Sequence, residues 1–322
     1  MANEQYVYAV ARIHSKELTL LDKQVLEQLL ASKSHEECMR VLTDKGWGSS
    51  DYMSAEQMLS YEREKTWELM KELVEDMSIF NTFLYENDFH NLKASLKQYY
   101  THKERPNVFM KNATVAPELI NQAVKEHDFT LLPEFMRESA KEAYEVLMHT
   151  GDGQLCDVIL DRAALDTLYQ KASETKLALF QKYAELRIVA ANINIAVRGL
   201  KTGKKNSFFQ DAIAECETLD KNQLIEVILQ GEQELYQYLE TTIYVDAVQA
   251  IKESPSAFER WCDNVIMEEI KPQKNNHFSV EPLAAFILAR ESEIKSVRII
   301  LSGKLNNLSQ DLIRERIREM YV

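Results

Sequence analysis

Glycine and proline are scarce in this sequence. Of its 322 residues, only 8 are glycine and 6 are proline, whereas average usage of about 7% and 5% would give roughly 23 and 16. Because glycine and proline supply most tight turns, the shortage argues against Gly-rich phosphate loops and against barrels with many hairpins. Since 45% of the residues are hydrophobic, a chain of this length can bury a sizeable core. The composition therefore predicts a folded, helical protein, and the length favours two or three domains.

Cysteine is also rare, and positive charge is outweighed by negative charge. The four cysteines show no CxxC spacing, which predicts isolated thiols rather than a disulfide framework or a zinc site. The 38 Lys and Arg residues face 51 Asp and Glu residues, a net charge of −13, and no long basic block is present. Because phosphates would be repelled at long range, we expect no nucleic-acid partner.

Long apolar runs and familiar catalytic motifs are missing as well. No stretch approaches the ~18 consecutive apolar residues of a membrane span, and the N-terminus lacks the features of a signal peptide. We therefore expect a cytoplasmic protein with, at most, a peripheral membrane role. The sequence contains neither GxxxxGK[ST] nor HExxH, and His35 with Cys38 makes only half of a metal site. We expect no catalytic residue, no cofactor, no metal and no small-molecule substrate.

Apolar residues recur at helical spacing in three passages. From Trp67 to Leu84 they follow one another at steps of three or four, which predicts helix almost throughout 54–104. Asp88 is placed to cap a second helix beginning at Phe89. Nothing alternates with a period of two for long, so the evidence for strands is thin.

The two later passages repeat this plan. One covers residues 160–200, and the other begins at Pro282, which suits the first turn of a helix. Asn192 follows Asn91 by 101 residues, and Ser296 follows Asn192 by 104. Three amphipathic helices align somewhere by chance, but the even spacing favours a true repeat. We predict three similar helical domains, with the boundaries 1–108, 109–210 and 211–322.

Several of the few glycines fall near the ends of these passages. Gly199 and Gly203 are predicted to follow the second repeat helix, and Gly303 to follow the third. Long helices with few hinges predict a stiff protein.

Four segments together resemble one known family. They are Tyr6–Arg12, Asn87–Lys93, Leu160–Arg162 and Glu291–Lys304, and in this order they resemble the C subunit of prokaryotic V-type (A-type) ATPases, the counterpart of the eukaryotic d subunit. The resemblance covers essentially the whole chain. It implies an all-α funnel of three similar domains around a pseudo-threefold axis.

The resemblance also implies a function. The protein would be a non-catalytic central-stalk subunit, a socket that couples the rotating central shaft to the membrane proteolipid ring, which carries H⁺ or Na⁺. It would lie at the cytoplasmic face of the membrane, peripheral through its complex and soluble when isolated. The alternatives are a helical adaptor unrelated to ATPases, and an enzyme whose site of converging acids or histidines forms only in three dimensions.

Polar and cationic positions of the three repeats are the candidate interface residues. Asn194 stands where the other copies have Lys93 and Arg298, so we do not expect each repeat to make an identical contact. The cations are expected to face the shaft or the ring, or alternatively to pair with Asp and Glu of neighbouring helices. The candidate repeat or interface positions are Asn91, Lys93, Lys97, Asn192, Arg198, Arg298 and Lys304.

Overall fold

The computed structural model describes residues 6–49 and 53–322, and these residues form helices joined by turns. They make sixteen α-helices and three 3-10 helices, and no strand occurs in the two described ranges. The predicted all-α class is therefore confirmed. The chain forms two compact units: unit 1 comprises Met1–Met77 with Asp246–Val322, and unit 2 comprises Ser78–Val245.

Unit 1 is organised around one long helix near the end of the chain. Its helices are α1 (Val7–Glu17), α2 (Lys23–Ala31), α3 (His35–Asp44), α4 (Ala55–Leu73), α13 (Val245–Glu253), α14 (Pro255–Ile270), α15 (Glu281–Leu305) and α16 (Gln310–Arg314), with a 3-10 helix at Lys271–Asn275. Helix α15 packs against α1, α3, α4 and α14. Ile294, Val297 and Ile300 recur at helical spacing along it and are fully buried among the apolar residues of α2, α3 and α4. Pro282 lies in the first turn of α15 as predicted, where its missing N–H breaks no helical hydrogen bond.

Unit 2 is organised around a helix that contacts four others. Its helices are α5 (Tyr85–Thr101), α6 (Pro117–Glu126), α7 (Glu134–Thr150), α8 (Gly153–Thr175), α9 (Ala178–Lys201), α10 (Asn206–Ala212), α11 (Lys221–Gln230) and α12 (Glu232–Glu240), with 3-10 helices at Met77–Phe83 and Phe129–Leu131. Helix α8 packs against α5, α7, α9 and α10. The side chains of α5 to α8 form one core of the unit, in which Leu92, Leu96 and Leu160 are fully buried.

The amphipathic passage from Trp67 to Leu84 is not one helix. Helix α4 ends at Leu73, and Val74 has an extended backbone. The chain then continues as the 3-10 helix Met77–Phe83 before α5 begins. Apolar spacing of three to four residues is satisfied by a 3-10 helix as well as by an α-helix, so the pattern did not reveal the break.

Asp88 does not cap a helix at Phe89, because α5 begins four residues earlier, at Tyr85. Asp88 is fully buried in the first turn of α5. Its Oδ1 accepts hydrogen bonds from the backbone N–H groups of Thr114 and Val115 at 2.8 and 3.0 Å. Burial raises the pKa of the Asp88 carboxyl, while these bonds act in the opposite direction. The side chain therefore ties a distant loop to α5 instead of ending a helix.

The three aligned repeat positions make the same kind of contact. Asn91 exchanges two hydrogen bonds with the backbone of Met110, at 2.7 and 3.0 Å, and Asn192 does the same with Ala214, at 2.8 and 2.9 Å. The hydroxyl of Ser296 accepts one bond, from the N–H of Arg318. In each case a buried polar side chain holds the backbone 19 or 22 residues downstream through hydrogen bonds. These contacts support the sequence repeat.

The third contact can be tested by removing its hydroxyl. We expect Ser296→Ala to lower the free energy of unfolding by about 1 kcal/mol, because the N–H of Arg318 loses its acceptor. Ser302 is exposed six residues later on α15, so Ser302→Ala should change stability by less than about 0.5 kcal/mol. Urea unfolding of both variants measures the difference, and equal stabilities would show that the Ser296 contact contributes nothing.

Gly199 and Gly303 were predicted to follow the repeat helices, but they lie inside α9 and α15; of the three glycines, only Gly203 follows its helix. Gly199 lies seven residues after Asn192, and Gly303 lies seven residues after Ser296. A Cβ on Gly199 would lie 2.4 Å from the ring of Phe209, and a Cβ on Gly303 would lie 2.5 Å from the side chain of Ile313. Both glycines therefore allow a short helix ten residues downstream to approach closely.

The division of the chain into three domains of about 100 residues stays a prediction, as does the threefold funnel. Helix α4 belongs to unit 1 and α5 to unit 2, although both fall within the predicted first domain.

None of the helices in the described ranges has the length and apolar character that a membrane-spanning helix requires.

Candidate functional site

Unit 2 contains an open cleft of about 970 Å³ lined by α5, α8, α9 and α10. Lys93 and Lys97 contribute from α5, and Asn194 and Arg198 contribute from α9. Asn194 and Arg198 follow the two lysines by the repeat period of 101 residues. The first two repeat copies therefore present the same helical face to one cleft.

Three ion pairs cross the cleft or its wall. The guanidinium of Arg187 on α9 binds the carboxylate of Glu86 on α5 through two bonds, at 2.6 and 3.1 Å. Lys97 pairs with Asp157 of α8 at 2.6 Å, and Lys93 pairs with Asp161, one turn further along α8. Lys93 and Lys97 therefore pair with aspartates of a neighbouring helix, which was the expected alternative to contact with the shaft or the ring. All these side chains retain part of their exposure to solvent.

The end of the cleft near Arg198 and Lys204 is different, because neither residue has a carboxylate within ion-pairing distance in the described part of the chain. Arg198 is exposed. The ammonium of Lys204 donates to the neutral amide of Gln154 at 2.5 Å and lies 5.2 Å from the ring centre of Phe208. In total, five Lys and Arg residues line the cleft against three Asp and Glu residues. The cleft therefore carries a positive excess in a protein of net charge −13.

Asn91 and Asn192 do not line the cleft. Both are fully buried, and their amides are occupied by the backbone of Met110 and Ala214. They position the loops after α5 and α9, so they are repeat positions and leave no polar group for a partner.

The chemistry of the cleft favours binding. Each of its three carboxylates faces a cation, an arrangement that holds charged side chains in place and does not activate a nucleophile. Among residues 6–49 and 53–322, no three His, Cys, Asp or Glu side chains are grouped so that they could hold a metal ion.

Comparison with known proteins identifies the family. The model of one protein family, described as "ATP synthase (C/AC39) subunit", matches residues 9–316, which is nearly the whole chain. The chain belongs to the C/AC39 subunit family. The resemblance found in the sequence is confirmed, and it excludes the alternative of a helical adaptor unrelated to ATPases.

Two relatives align with this C/AC39 subunit over almost its full length. The C subunit of the V-type sodium ATPase of Enterococcus hirae is 25% identical over an alignment of 328 positions that spans 96% of this chain and 97% of the relative. The C subunit of the A-type ATP synthase of Methanocaldococcus jannaschii is 22% identical over an alignment of 343 positions that spans 96% of this chain and 85% of the relative. The chain is thus a subunit of the V/A-type ATPase class.

The two remaining candidate cations of the C/AC39 subunit lie in unit 1. Arg298 binds both carboxylate oxygens of Glu56, at 3.0 and 3.2 Å. Lys304 donates to the backbone carbonyls of Leu30 and Ser32, each at 2.6 Å. It therefore satisfies carbonyls at the C-terminal end of α2, a favourable position for a cation.

Sequence reasoning did not find the Arg187–Glu86 pair or Lys204. Arg187 follows Glu86 by 101 residues, so the repeat period carried a signal for this pair. Lys204 belongs to the segment 198–205, which contains four cations and no acid. That local charge, in an acidic protein, was the available signal for the positive end of the cleft.

Proposed function

We propose that this C/AC39 subunit is the non-catalytic central-stalk part of a rotary V/A-type ATPase and couples the rotating shaft to the membrane-embedded proteolipid ring. The observation that carries the proposal is the family match over residues 9–316, with two relatives that are each the C subunit of such a complex by name. The protein would lie at the cytoplasmic face of the membrane and be held there by its complex. The ion, H⁺ or Na⁺, would be selected in the ring, and ATP would be hydrolysed or made in the catalytic head.

The structure supports this role through its internal ties. A part that transmits torque must not deform when it is loaded. Here, buried side chains on three long helices hold the backbone of distant loops, as Asn192 does with Ala214. The two helices that flank the cleft are linked by the two-bond pair between Arg187 and Glu86. Such contacts restrict movement of the helices against their loops.

The proposal also requires two binding surfaces, one for the shaft and one for the ring. The cleft of unit 2 supplies a candidate for the first, since it combines partly exposed cations with apolar residues. We propose that Lys93, Lys97 and Arg198 contact the shaft, and that Lys93 and Lys97 exchange their intramolecular partners when they do so. For Arg298 and Lys304, an interface role stays a prediction.

A bridging experiment tests the function. The purified chain is immobilised and exposed separately to the purified shaft and to the detergent-solubilised ring, and we expect it to retain each. When shaft and ring are mixed, they should co-sediment only in the presence of the chain. An immobilised helical protein of similar acidity serves as the control. If the chain retained neither partner, the proposed coupling role would be wrong.

A further inference from the structure

Turns that are far apart in the sequence come together at one end of unit 2. Lys97, near the end of α5, pairs with Asp157 of α8 at 2.6 Å. Lys204, just after the end of α9, donates to Gln154 of α8 at 2.5 Å. Gln154 and Asp157 are three residues apart at the start of α8, which begins at Gly153. The C-terminal ends of α5 and α9 therefore lie beside the N-terminal end of α8.

The turn between α7 and α8 lies at this end as well. Helix α7 ends at Thr150, three residues before α8 begins. A Cβ on Gly151 in this turn would lie 2.9 Å from the hydroxyl of Tyr100, so the last turn of α5 packs against it. We call residues 99–105, 149–152 and 201–205 the basic end of unit 2.

Positive charge collects at the basic end. Its cations outnumber its acids by five to two: the cations are Lys103, Arg105, Lys201, Lys204 and Lys205, and the acids are Glu104 and Asp152. The turn after α9 lies within residues 186–210, which is the longest stretch of the chain without Asp or Glu. The whole protein has a net charge of −13, so the basic end differs from it in sign.

Most of these cations have no use inside the protein. Four of them are exposed, and within residues 6–49 and 53–322 they have no carboxylate at ion-pairing distance and donate to no helix-end carbonyl: Lys103, Arg105, Lys201 and Lys205. Lys304, in contrast, donates to two carbonyls at the end of α2. Hydrogen bonding to a helix end, a common use of a cation at such a position, therefore does not account for these four.

Two tyrosines are exposed beside the cations. Tyr99 is 37% exposed and Tyr100 is 43% exposed, both in the last turn of α5. Tyrosine combines an apolar ring with a polar hydroxyl, and it is enriched where proteins meet the headgroup layer of a membrane. Clusters of Lys and Arg are attracted to anionic headgroups. Together, the cations and the tyrosines describe a surface suited to an anionic membrane.

We propose that the basic end of unit 2 binds the headgroups of anionic phospholipids and so directs this end of the chain towards the membrane. The proposal rests on the proposed function, which places the chain beside a membrane. A nucleic acid fits the basic end less well, because single strands are bound along grooves lined with cations. Lys201 and Lys205 instead lie on an exposed turn and do not line the cleft.

Sedimentation with vesicles tests the proposal. The full chain, without any other subunit, is mixed with vesicles of phosphatidylcholine alone or of equal parts of phosphatidylcholine and phosphatidylglycerol. We expect at least tenfold tighter binding to the anionic vesicles. Each cation near an anionic surface increases the binding constant roughly fivefold. Lys201→Glu changes the charge by two, so it should weaken this binding at least tenfold.

Lys176→Glu is the matched control. Lys176 is exposed and, like Lys201, lies at the C-terminal end of a long helix. That end of α8 is far from the basic end, because the 23 residues of α8 span roughly 35 Å. The two variants have the same net charge, and Lys176→Glu should bind within twofold of the wild type. Equal thermal unfolding of both variants would confirm that the fold is unchanged.

Fluorescence supplies a readout of position. In anionic vesicles that contain brominated phosphatidylcholine, Tyr100→Trp should be quenched more than the wild type, because the new indole would lie at the headgroup layer. Lys176→Trp should show no additional quenching. Raising NaCl from about 50 to about 500 mM should release the chain and remove the quenching, since salt screens exposed charges.

A competition experiment separates a membrane surface from a free phosphate group. Soluble glycerol phosphate, at the phosphate concentration of the vesicles, should not displace the chain, because one free headgroup cannot engage several cations at once. Displacement would show a site for a free phosphate and would contradict the proposal.

The remaining outcomes separate lipid binding from the coupling role. If the chain retains shaft and ring but binds anionic vesicles no better than neutral ones, the inference is wrong and the coupling role stands. If it binds the vesicles but retains neither subunit, the coupling role fails and lipid binding stands. If Lys201→Glu and Lys176→Glu weaken binding equally, net charge governs it and the inference is overturned. It is also overturned if the chain binds a single-stranded oligonucleotide through Lys201 and leaves the vesicles unbound.

Discussion

Replacing Arg290 by methionine is expected to lower the free energy of unfolding by about 3–5 kcal/mol at pH 8. Arg290 and Glu293 form an ion pair at 2.6 Å on α15, with both side chains almost fully buried. Glu293 also accepts a hydrogen bond from the backbone N–H of Leu21. Without Arg290, a carboxylate would remain in the core with no cation to offset its lost hydration. The guanidinium also lies 5.5 Å from the ring centre of Trp47, a contact that would be lost as well.

The destabilisation should depend on pH. Burial raises the pKa of Glu293 to about 7, against the lowering effect of Arg290 and of the Leu21 hydrogen bond, and with a raising contribution from Glu62. Because the pKa is higher in the folded than in the unfolded chain, the stability that protonation of Glu293 provides is fully present below about pH 4.5, the ordinary pKa of a glutamate side chain. It is lost as the pH rises through 7. Removing Arg290 raises this pKa further, so the variant should recover part of its stability at pH 6, where Glu293 is protonated.

Urea unfolding at pH 6 and pH 8 measures the effect. In the double variant Arg290→Met/Glu293→Gln, the glutamine oxygen can still accept from Leu21 and no charge is buried. This variant should be more stable than Arg290→Met at pH 8 and should show a smaller difference between the two pH values. If Arg290→Met were equally unstable at both pH values, the buried carboxylate would not be the source of its cost.

The second large effect is expected at Gly199. An exchange of glycine for alanine inside a helix normally stabilises it, by about 1 kcal/mol. In α9 the new Cβ would lie 2.4 Å from the ring of Phe209, which is almost fully buried and has little room to move. We therefore expect Gly199→Ala to destabilise the protein by about 1–3 kcal/mol, the opposite sign to the usual effect.

A double-mutant cycle with Phe209→Ala isolates this contact. Once the ring is removed, adding Gly199→Ala should cost nothing or should stabilise the helix. A Cβ on Gly153, in the first turn of α8, would have nothing within 4 Å, so Gly153→Ala is the matched control and should not destabilise. If Gly199→Ala left the wild type as stable as this control does, the close approach of α10 would be unnecessary for the fold.

The helical class and the three repeat positions could be predicted from the sequence. The scarcity of glycine and proline and the apolar spacing predicted an all-α protein, and the periods of 101 and 104 residues aligned Asn91, Asn192 and Ser296. The structure gives these three residues equivalent contacts with the backbone downstream. Each of the three is a buried polar side chain on a largely apolar helix face, where hydrogen bonds to the backbone satisfy its polar atoms.

Other features depended on contacts between distant parts of the chain. The apolar pattern from Trp67 to Leu84 suits both an α-helix and a 3-10 helix, so it concealed the end of α4. Gly199 was predicted to follow a helix because glycine often ends one, but its role comes from the ring of Phe209. No local pattern reveals such an approach.

The candidate cations were predicted by position, but their partners were not. Lys97 was expected either at an interface or in an ion pair within the chain, and the sequence did not decide between these two. The carboxylate that it meets, Asp157, lies 60 residues away on α8. Because Asp and Glu are abundant in this chain, only the packing of α5 on α8 selects this pair.

Measuring how ATP hydrolysis is coupled to ion transport tests the proposed role of this subunit as the link between shaft and ring. ATP-driven ion uptake and ATP hydrolysis are measured together in membrane vesicles that carry the ATPase, before and after removal of this subunit and after addition of the purified chain. We predict that removal abolishes uptake while the catalytic head continues to hydrolyse ATP, and that the added chain restores uptake. Full ion uptake by vesicles depleted of the subunit would contradict its role as the link between shaft and ring.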